Sequence, residues 1–315
     1  MMAYENLIAI GRSRFLYDTI LHLNSLGHSF KAIITEEAYS EYDIKHSDFE
    51  KLANKLDAGF FMCRCLFTDE IIDIIKVNSV RLAISVNWKY TITENFLNLF
   101  DCGILNFHLG NLPDYKGNAT VNWSIINGEK HLHANVHKMA IELDSGDIIC
   151  RESILITEET YVGDILEKAK KLAPVLFEQA VKKLSINPNA FILKGSIKGL
   201  RCYPRLPEDS QIHWNKTATE IYNLIRASSH PFSGAFTYLN GEKVIIWKAK
   251  PHQLNDDFLA IPGQVLAISK ASGFVLVACK NEVLEVQEIE WQGVKVPAAT
   301  FVKSIRVRFK FKTDV

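Results

Sequence analysis

The opening of the chain sets the tightest limit on its fold. Leu7-Ile8-Ala9-Ile10 is a short apolar run that breaks at Gly11. A helical pattern follows through Phe15, Ile20, Leu21, Leu23 and Leu26, stops at Gly27, and gives way to a second apolar run over 30–35. Strand, glycine turn, helix and strand in that order predict a parallel, doubly wound α/β sheet, because the helix returns the chain to the same end of the sheet. Gly11-Arg12-Ser13 lacks the three glycines of a dinucleotide fingerprint, so the turn alone gives no nucleotide site.

The alternation continues. Residues 36–49 read as a loop, 49–56 as a short helix and 59–63 as a strand. Thr68-Asp69-Glu70 opens a helix whose apolar face holds Ile71, Ile72, Ile74 and Ile75. Residues 81–86 are a buried strand, 93–100 a helix, and Ile104-Leu105 begins the next strand. A helix over 119–127, strands over 133–141 and 147–156 and a long helix over 160–184 complete a first domain, 1–193. A Gly/Pro/Lys-rich linker, 194–209, precedes a second domain, 210–315. There, after a helix over 218–228, strands are expected at 235–239, 243–249, 263–269, 273–279, 283–289 and 305–311. Short strands between polar turns predict a small barrel or sandwich, and Asn240-Gly241 marks a two-residue hairpin.

The chemistry concentrates in residues 104–149. Asn106 and His108 are two apart, so an extended segment sends both side chains to one face. Ligands of open parallel sheets gather at the carboxyl ends of strands, where both Asn87–Tyr90 and Asn106–His108 fall. Asp144 follows in Leu143-Asp144-Ser145-Gly146-Asp147. An amide, an imidazole and a carboxylate supply what acyl transfer needs if the fold unites them. His131, His133 and His137 alternate, but three histidines without a further ligand make no zinc site, and no metal is expected.

Lys+Arg and Asp+Glu both number 36, which disfavours nucleic acid or an anionic membrane as a partner. The basic tail from Arg306 to Lys312 alternates with apolar residues, as a strand with one solvated face does. Six cysteines without framework spacing, no signal-peptide pattern and no apolar run near the roughly 20 residues of a membrane span predict a cytoplasmic protein with reduced thiols.

Asn106-Phe107-His108, Asn111-Leu112-Pro113-x-Tyr115-Lys116-Gly117, Trp123, His137-Lys138-Met139 and Asp144-Ser145-Gly146-Asp147 together resemble the folate-dependent formyltransferases. Arg205-Leu206-Pro207-Glu208-Asp209, Ile212-His213-Trp214, Ile225-Arg226-Ala227 and Pro231-Phe232-x-Gly234-Ala235-Phe236 resemble the hinge and barrel shared by methionyl-tRNA formyltransferases and sugar-nucleotide N-formyltransferases. Gly110-Asn111 and Asn118-Ala119-Thr120 look more like the sugar branch.

The resemblance implies a Rossmann-like catalytic domain, an OB-like β-barrel, and formyl transfer from N10-formyltetrahydrofolate to a nucleotide-linked amino-dideoxy sugar. The expected acceptor is dTDP-4-amino-4,6-dideoxyglucose or a related dTDP-sugar, in O-antigen or lipopolysaccharide synthesis. It also implies Asn106, His108 and Asp144 as catalytic residues. Trp88, Lys89, Tyr90, Asn111, Leu112, Pro113, Tyr115, Met139, Ile141 and Leu143 would line the folate site, with His137 in the pocket wall. Arg205 and Arg226 are expected at the pyrophosphate and Tyr222 on the base. A methionyl-tRNA formyltransferase and a non-catalytic folate- or nucleotide-binding module stay open as alternatives. An exposed edge of the barrel would suit a homodimer.

Overall fold

The computed structural model describes residues 6–38, 43–254 and 257–311, so part of the predicted loop 36–49 and Lys312 of the basic tail lie outside the described residues. In chain order the elements are β1 (Asn6–Gly11), α1 (Ser13–Ser25), β2 (Ser29–Thr35), α2 (His46–Lys55), β3 (Gly59–Met62), α3 (Asp69–Val77), β4 (Leu82–Val86), α4 (Glu94–Leu97) and β5 (Gly103–Leu109). They continue with β6 (Lys116–Gly117), α5 (Thr120–Ile126), β7 (His131–Lys138), β8 (Ile148–Leu155), α6 (Val162–Ile186) and β9 (Arg201–Cys202). After a 3-10 turn at Pro207–Ser210 come α7 (Ala218–Ser228), β10 (Ala235–Leu239), β11 (Glu242–His252), β12 (Val265–Ile268) and β13 (Val275–Ala278). The last are β14 (Val283–Trp291), β15 (Val294–Pro297), α8 (Ala298–Phe301) and β16 (Phe309–Lys310).

The first sheet runs β3-β2-β1-β4-β5-β7-β8. Strands β1 to β5 are parallel, with the order reversing at β1, and the apolar runs of the central β1 and β4 are buried on both faces while edge strand β3 is partly exposed. Leu7, Ile8, Ala9 and Ile10 are all fully buried. The expected doubly wound sheet is thus parallel at its centre, and β7 and β8 extend it antiparallel at one side. Apolar periodicity fixes which face a residue takes and carries no information on strand direction.

The second sheet is antiparallel, in the order β12-β13-β14-β11-β10-β16 with β15 beside β14. Its ends curl toward each other. Gln264 bridges to Arg308, and the Phe309 N–H donates to the Gly263 carbonyl at 2.8 Å. The interior holds Ile246, Val277, Val286 and Phe309 with Ile221 and Ile225 of α7, giving a curled half-barrel. Asn240 (φ 52°) and Gly241 (φ 87°) make the β10–β11 turn in the left-handed conformation such hairpins demand. Within the predicted strand 305–311 only Phe309–Lys310 forms a strand, beyond the single bridge at Arg308, and β15 went unanticipated.

The chain divides into two compact units, and neither is a continuous stretch. The first comprises Met1–Thr120, His131–Leu155 and Leu166–Tyr203; the second comprises Val121–Lys130, Ile156–Ile165 and Pro204–Val315. The expected division into 1–193, a linker and 210–315 therefore differs from the structure in two respects. Segment 194–203 belongs to the first unit, and two excursions from the N-terminal half belong to the second. Hydrogen bonds explain the excursions. Asn122 donates to the Ala227 carbonyl at 2.7 Å, and Tyr222 donates to the Glu158 carbonyl at 2.8 Å. Among the described residues no helix is long and apolar enough to cross a membrane.

Candidate active site

β5 and β7 build the centre of the site by their register. Asn106 pairs with His137 and His108 with Asn135, so four polar side chains share one face of the sheet. The intervening Leu105, Leu132, Ala134 and Val136 are fully buried on the other. Across the gap comes Asp144, held at φ 47° in the turn before β8. Its carboxylate lies 3.4 Å from His108 Nδ1 and 3.6 Å from His137 Nε2, and accepts the Gly117 N–H at 2.8 Å.

The fixed partners of each ring assign its protons. His108 Nε2 is 2.8 Å from the Tyr115 carbonyl, which can only accept, so Nε2 carries the hydrogen. Neutral His108 then presents its lone pair at Nδ1, toward Asp144. His137 Nδ1 likewise donates to the Lys138 carbonyl at 2.8 Å, leaving Nε2 to accept from the Asn106 amide at 3.2 Å. That bond turns the amide nitrogen of Asn106 toward His137, and its second N–H has no partner among the described residues. Burial lowers the His108 pKa against the opposing pull of Asp144 and keeps the ring neutral. Burial alone would raise the Asp144 pKa, but the charge His108 carries once protonated, the His137 ring and the Gly117 N–H outweigh it and hold the carboxyl well below the usual range.

A polar clamp shapes the loop after β5. The buried Asn135 amide donates to the carbonyls of His108 and Gly110. Its oxygen accepts from Arg151 Nε at 2.8 Å, and the same guanidinium donates to the Leu112 carbonyl at 2.6 Å. Sequence reasoning missed Asn135 and Arg151, and gave His137 only a wall. The polar alternation His131, His133, Asn135, His137 in an otherwise apolar strand was the available signal.

The structure brings Asn106, His108 and Asp144 together. Of the predicted folate-site residues, Trp88 and Met139 rest on one apolar cluster with Ile92, Phe96 and Ile104. Tyr90 meets Trp88 edge-on at 5.6 Å, with the exposed Lys89 ammonium 5.8 Å over the Tyr90 ring. Leu112 and Tyr115 are buried, Pro113 is exposed, and Asn111 donates to the His131 carbonyl at 3.0 Å. Ile141 and Leu143 are 59% and 46% exposed, unusual for aliphatic side chains beside a polar centre.

Arg205, Tyr222 and Arg226 all belong to the second unit. Arg205 is half-buried, donates to the Asp209 carbonyl at 2.9 Å and lies 5.7 Å over the Trp123 ring. The expectation of Arg226 at a pyrophosphate does not suit its surroundings. It is only 5% exposed, and its guanidinium donates to the Thr157 and Thr160 carbonyls at 2.9 and 2.8 Å and to Asn223 at 2.6 Å. The Tyr222 hydroxyl is similarly committed to Glu158. Both residues secure the 156–165 excursion. Among the described residues no group of three or more His, Cys, Asp or Glu side chains is placed to hold a metal ion.

Comparison with known proteins identifies the domains that carry this constellation. Residues 7–181 match the formyl transferase family and residues 206–306 match the formyl transferase C-terminal domain. The bifunctional polymyxin resistance protein ArnA of Wigglesworthia glossinidia brevipalpis is 28% identical over 278 residues. That alignment covers 85% of this chain and 40% of the relative, so the chain spans well under half of ArnA. An N-formyltransferase of Helicobacter canadensis, solved with folinic acid and dTDP-3-aminofucose, has the same fold (TM-score 0.63, 17% identity, covering 90% of this chain and 99% of that one). HypX of Aquifex aeolicus, solved with tetrahydrofolic acid, covers 99% of this chain with 51% of its own (TM-score 0.59, 14% identity). With both of its halves matched and the Asn–His–Asp centre assembled, the chain belongs to the formyl transferase family.

Proposed function

We propose that the chain transfers a formyl group from N10-formyltetrahydrofolate to the amine of a nucleotide-linked amino-dideoxy sugar, with dTDP-4-amino-4,6-dideoxyglucose or a related dTDP-sugar as the acceptor. The observation that carries the reading is Asp144 set against His108 while His137 holds the Asn106 amide. Support for the acceptor comes from the similarly folded enzyme solved with a dTDP-amino sugar. Membership of a lipopolysaccharide or O-antigen route, a cytoplasmic location and a homodimer belong to the same proposal.

The residues assigned to the folate suit a flat, partly apolar ring with a hydrogen-bonding edge. Exposed Ile141 and Leu143 offer apolar contact, and Trp88 Nε1 and Asn111 Oδ1 are buried polar atoms without partners among the described residues. The folate supplies a formyl carbon already at the oxidation level of formic acid. The protein's part is to stabilise charge and move a proton. As the amine adds to the carbonyl carbon, the free N–H of Asn106 donates to the oxygen that becomes negative, a contribution of about 3 kcal/mol in comparable sites. The amine, now cationic, must lose a proton. His108 Nδ1 is the nitrogen with an available lone pair, and a proton taken there stands beside the Asp144 carboxylate, which stabilises the imidazolium. Collapse of the adduct then re-forms the carbonyl and breaks the C–N10 bond, and the proton held at His108 is passed on to N10, so that tetrahydrofolate leaves and the acceptor keeps the formamide. In this scheme Arg205 remains a candidate for the pyrophosphate, whereas Tyr222 and Arg226 act as structural ties.

An acceptor screen with N10-formyltetrahydrofolate tests the reading. Amino-sugar nucleotides with the amine on C3 or C4, on dTDP and on UDP, are compared with methionyl-tRNA, and formylation is read by mass. Formylation of a dTDP-amino sugar is expected. Formylation of the tRNA alone would replace the acceptor, and binding of folate without any turnover would leave a non-catalytic module.

A further inference from the structure

The segment between the two family matches, 182–205, is where the structure holds an unassigned device. Lys116 is buried, and its ammonium donates to the carbonyls of Ser196 and Ile197, the latter at 2.9 Å. The backbone beside it is fastened to the same segment. Lys116 N–H donates to Leu200 at 3.0 Å, Asn118 N–H donates to Cys202 at 3.1 Å, and β6 pairs with β9 in parallel. Two carboxylates complete the fastening: Asp114 accepts the Leu200 N–H at 2.8 Å and Asp147 accepts the Gly195 N–H at 2.7 Å.

The approach is too close for side chains. A Cβ on Gly195 would sit 2.0 Å from the Ser145 carbonyl oxygen, and one on Gly199 (φ 138°) 2.0 Å from that of Pro113. Residues 194–202 thus clasp both the 111–118 loop and the 144–147 turn. Those are the backbones that touch the catalytic side chains. The Tyr115 carbonyl accepts from His108 Nε2, and the Gly117 N–H donates to Asp144.

We infer that the clasp 194–202, anchored by Lys116, is a positioning element for the His108–Asp144 pair. By fixing the Tyr115 carbonyl and the Gly117 N–H it selects the Nε2–H tautomer of His108 and aims the carboxylate at Nδ1. Without the clasp the 111–118 loop keeps the Asn111 and Arg151 ties at its start, while the Tyr115–Gly117 end, still bonded to His108 and Asp144, is no longer braced from behind. Lys116 never meets the reacting atoms; it acts through its two neighbours in the chain.

The inference rests on the formyl-transfer reading only for its kinetic arm. The other arm reads the ring directly, through the 15N shifts of His108 in the ligand-free protein, assigned with an H108Q variant. Lys116→Met removes the ammonium, Gly199→Ala wedges the clasp from the far side, and Lys116→Arg keeps the charge. The wild type is expected to show the Nε2–H signature. In K116M and G199A the signature gives way to a mixture of tautomers, kcat falls about 100-fold while the acceptor KM moves by less than about threefold, and K116R recovers part of both. Unchanged ring shifts in the folded variants would overturn the inference, even with kcat reduced. Moved ring shifts in a protein that formylates no acceptor would uphold the clasp and remove the reaction reading. Should K116M not fold, G199A, which retains every donor, decides alone.

Discussion

At the scale of single residues the site works because each proton has one place to be. Carbonyls fix Nε2–H on His108 and Nδ1–H on His137, and the remaining nitrogens face Asp144 and Asn106. Asn106→Ala removes the amide proposed to meet the developing oxyanion and is expected to lower kcat/KM by a factor worth about 3 kcal/mol, read in the formylation assay. Both shifted groups have folded pKa values below their unfolded ones, about 6.5 for His and 3.9 for Asp. Between each pair of values the unfolded chain holds the extra proton, so stability rises with pH there. The His108 contribution is complete above about pH 6.5, and that of Asp144 above about pH 4; each is lost as pH falls through the folded value. Asp144→Asn deletes the carboxylate that raises the His108 pKa. The acid limb of the pH–rate profile should therefore move to lower pH while the plateau drops about 100-fold or more. That Asn106, His108 and Asp144 come together was readable in the sequence because spacing and order carry it. The backbone partners, Tyr115 carbonyl and Gly117 N–H, were not, since any residue type supplies those groups.

At the scale of elements, the strands of the first sheet followed from apolar runs bounded by glycine or polar turns, and the β10–β11 hairpin from Asn240-Gly241. Gly241→Ala tests the latter. A Cβ there meets nothing within 4 Å, so the expected loss of about 1 kcal/mol on denaturant unfolding of the second unit comes from the positive φ alone. The antiparallel turn of β7 and β8 was not legible. Nor was β9, since two residues give no period to read, while β16 shrank because only Phe309–Lys310 finds the β10 edge. Arg226 illustrates a different limit. A basic residue near the end of a helix looks the same in sequence whether it meets a ligand or three oxygens of its own chain. Arg226→Met leaves the Thr157 and Thr160 carbonyls unpaired, and a loss of about 3 kcal/mol is expected by chemical denaturation. The acceptor KM of the surviving folded enzyme should stay near the wild-type value.

At the scale of the whole molecule the two family matches suggest a simple succession of halves, and the structure replaces it with an interleaved path. Local patterning cannot reveal this, because 121–130 and 156–165 look like ordinary surface elements of the domain they interrupt. A chain cut after Leu193 loses the partners of Asn122 and Thr157 and also the clasp on Lys116. It is expected to be digested by limited proteolysis far faster than the intact protein and to show no formyl transfer. The path also bears on how such enzymes can acquire new acceptors. With each unit made of three segments, the polypeptide crosses between them five times, at Thr120, Lys130, Leu155, Ile165 and Tyr203. A hybrid that exchanges only the C-terminal half with a relative would inherit two short stretches matched to the parent it left behind. Recombination that preserves the packing of the second unit must carry 121–130 and 156–165 along with residues 204–315, so the C-terminal half alone is not a transferable module.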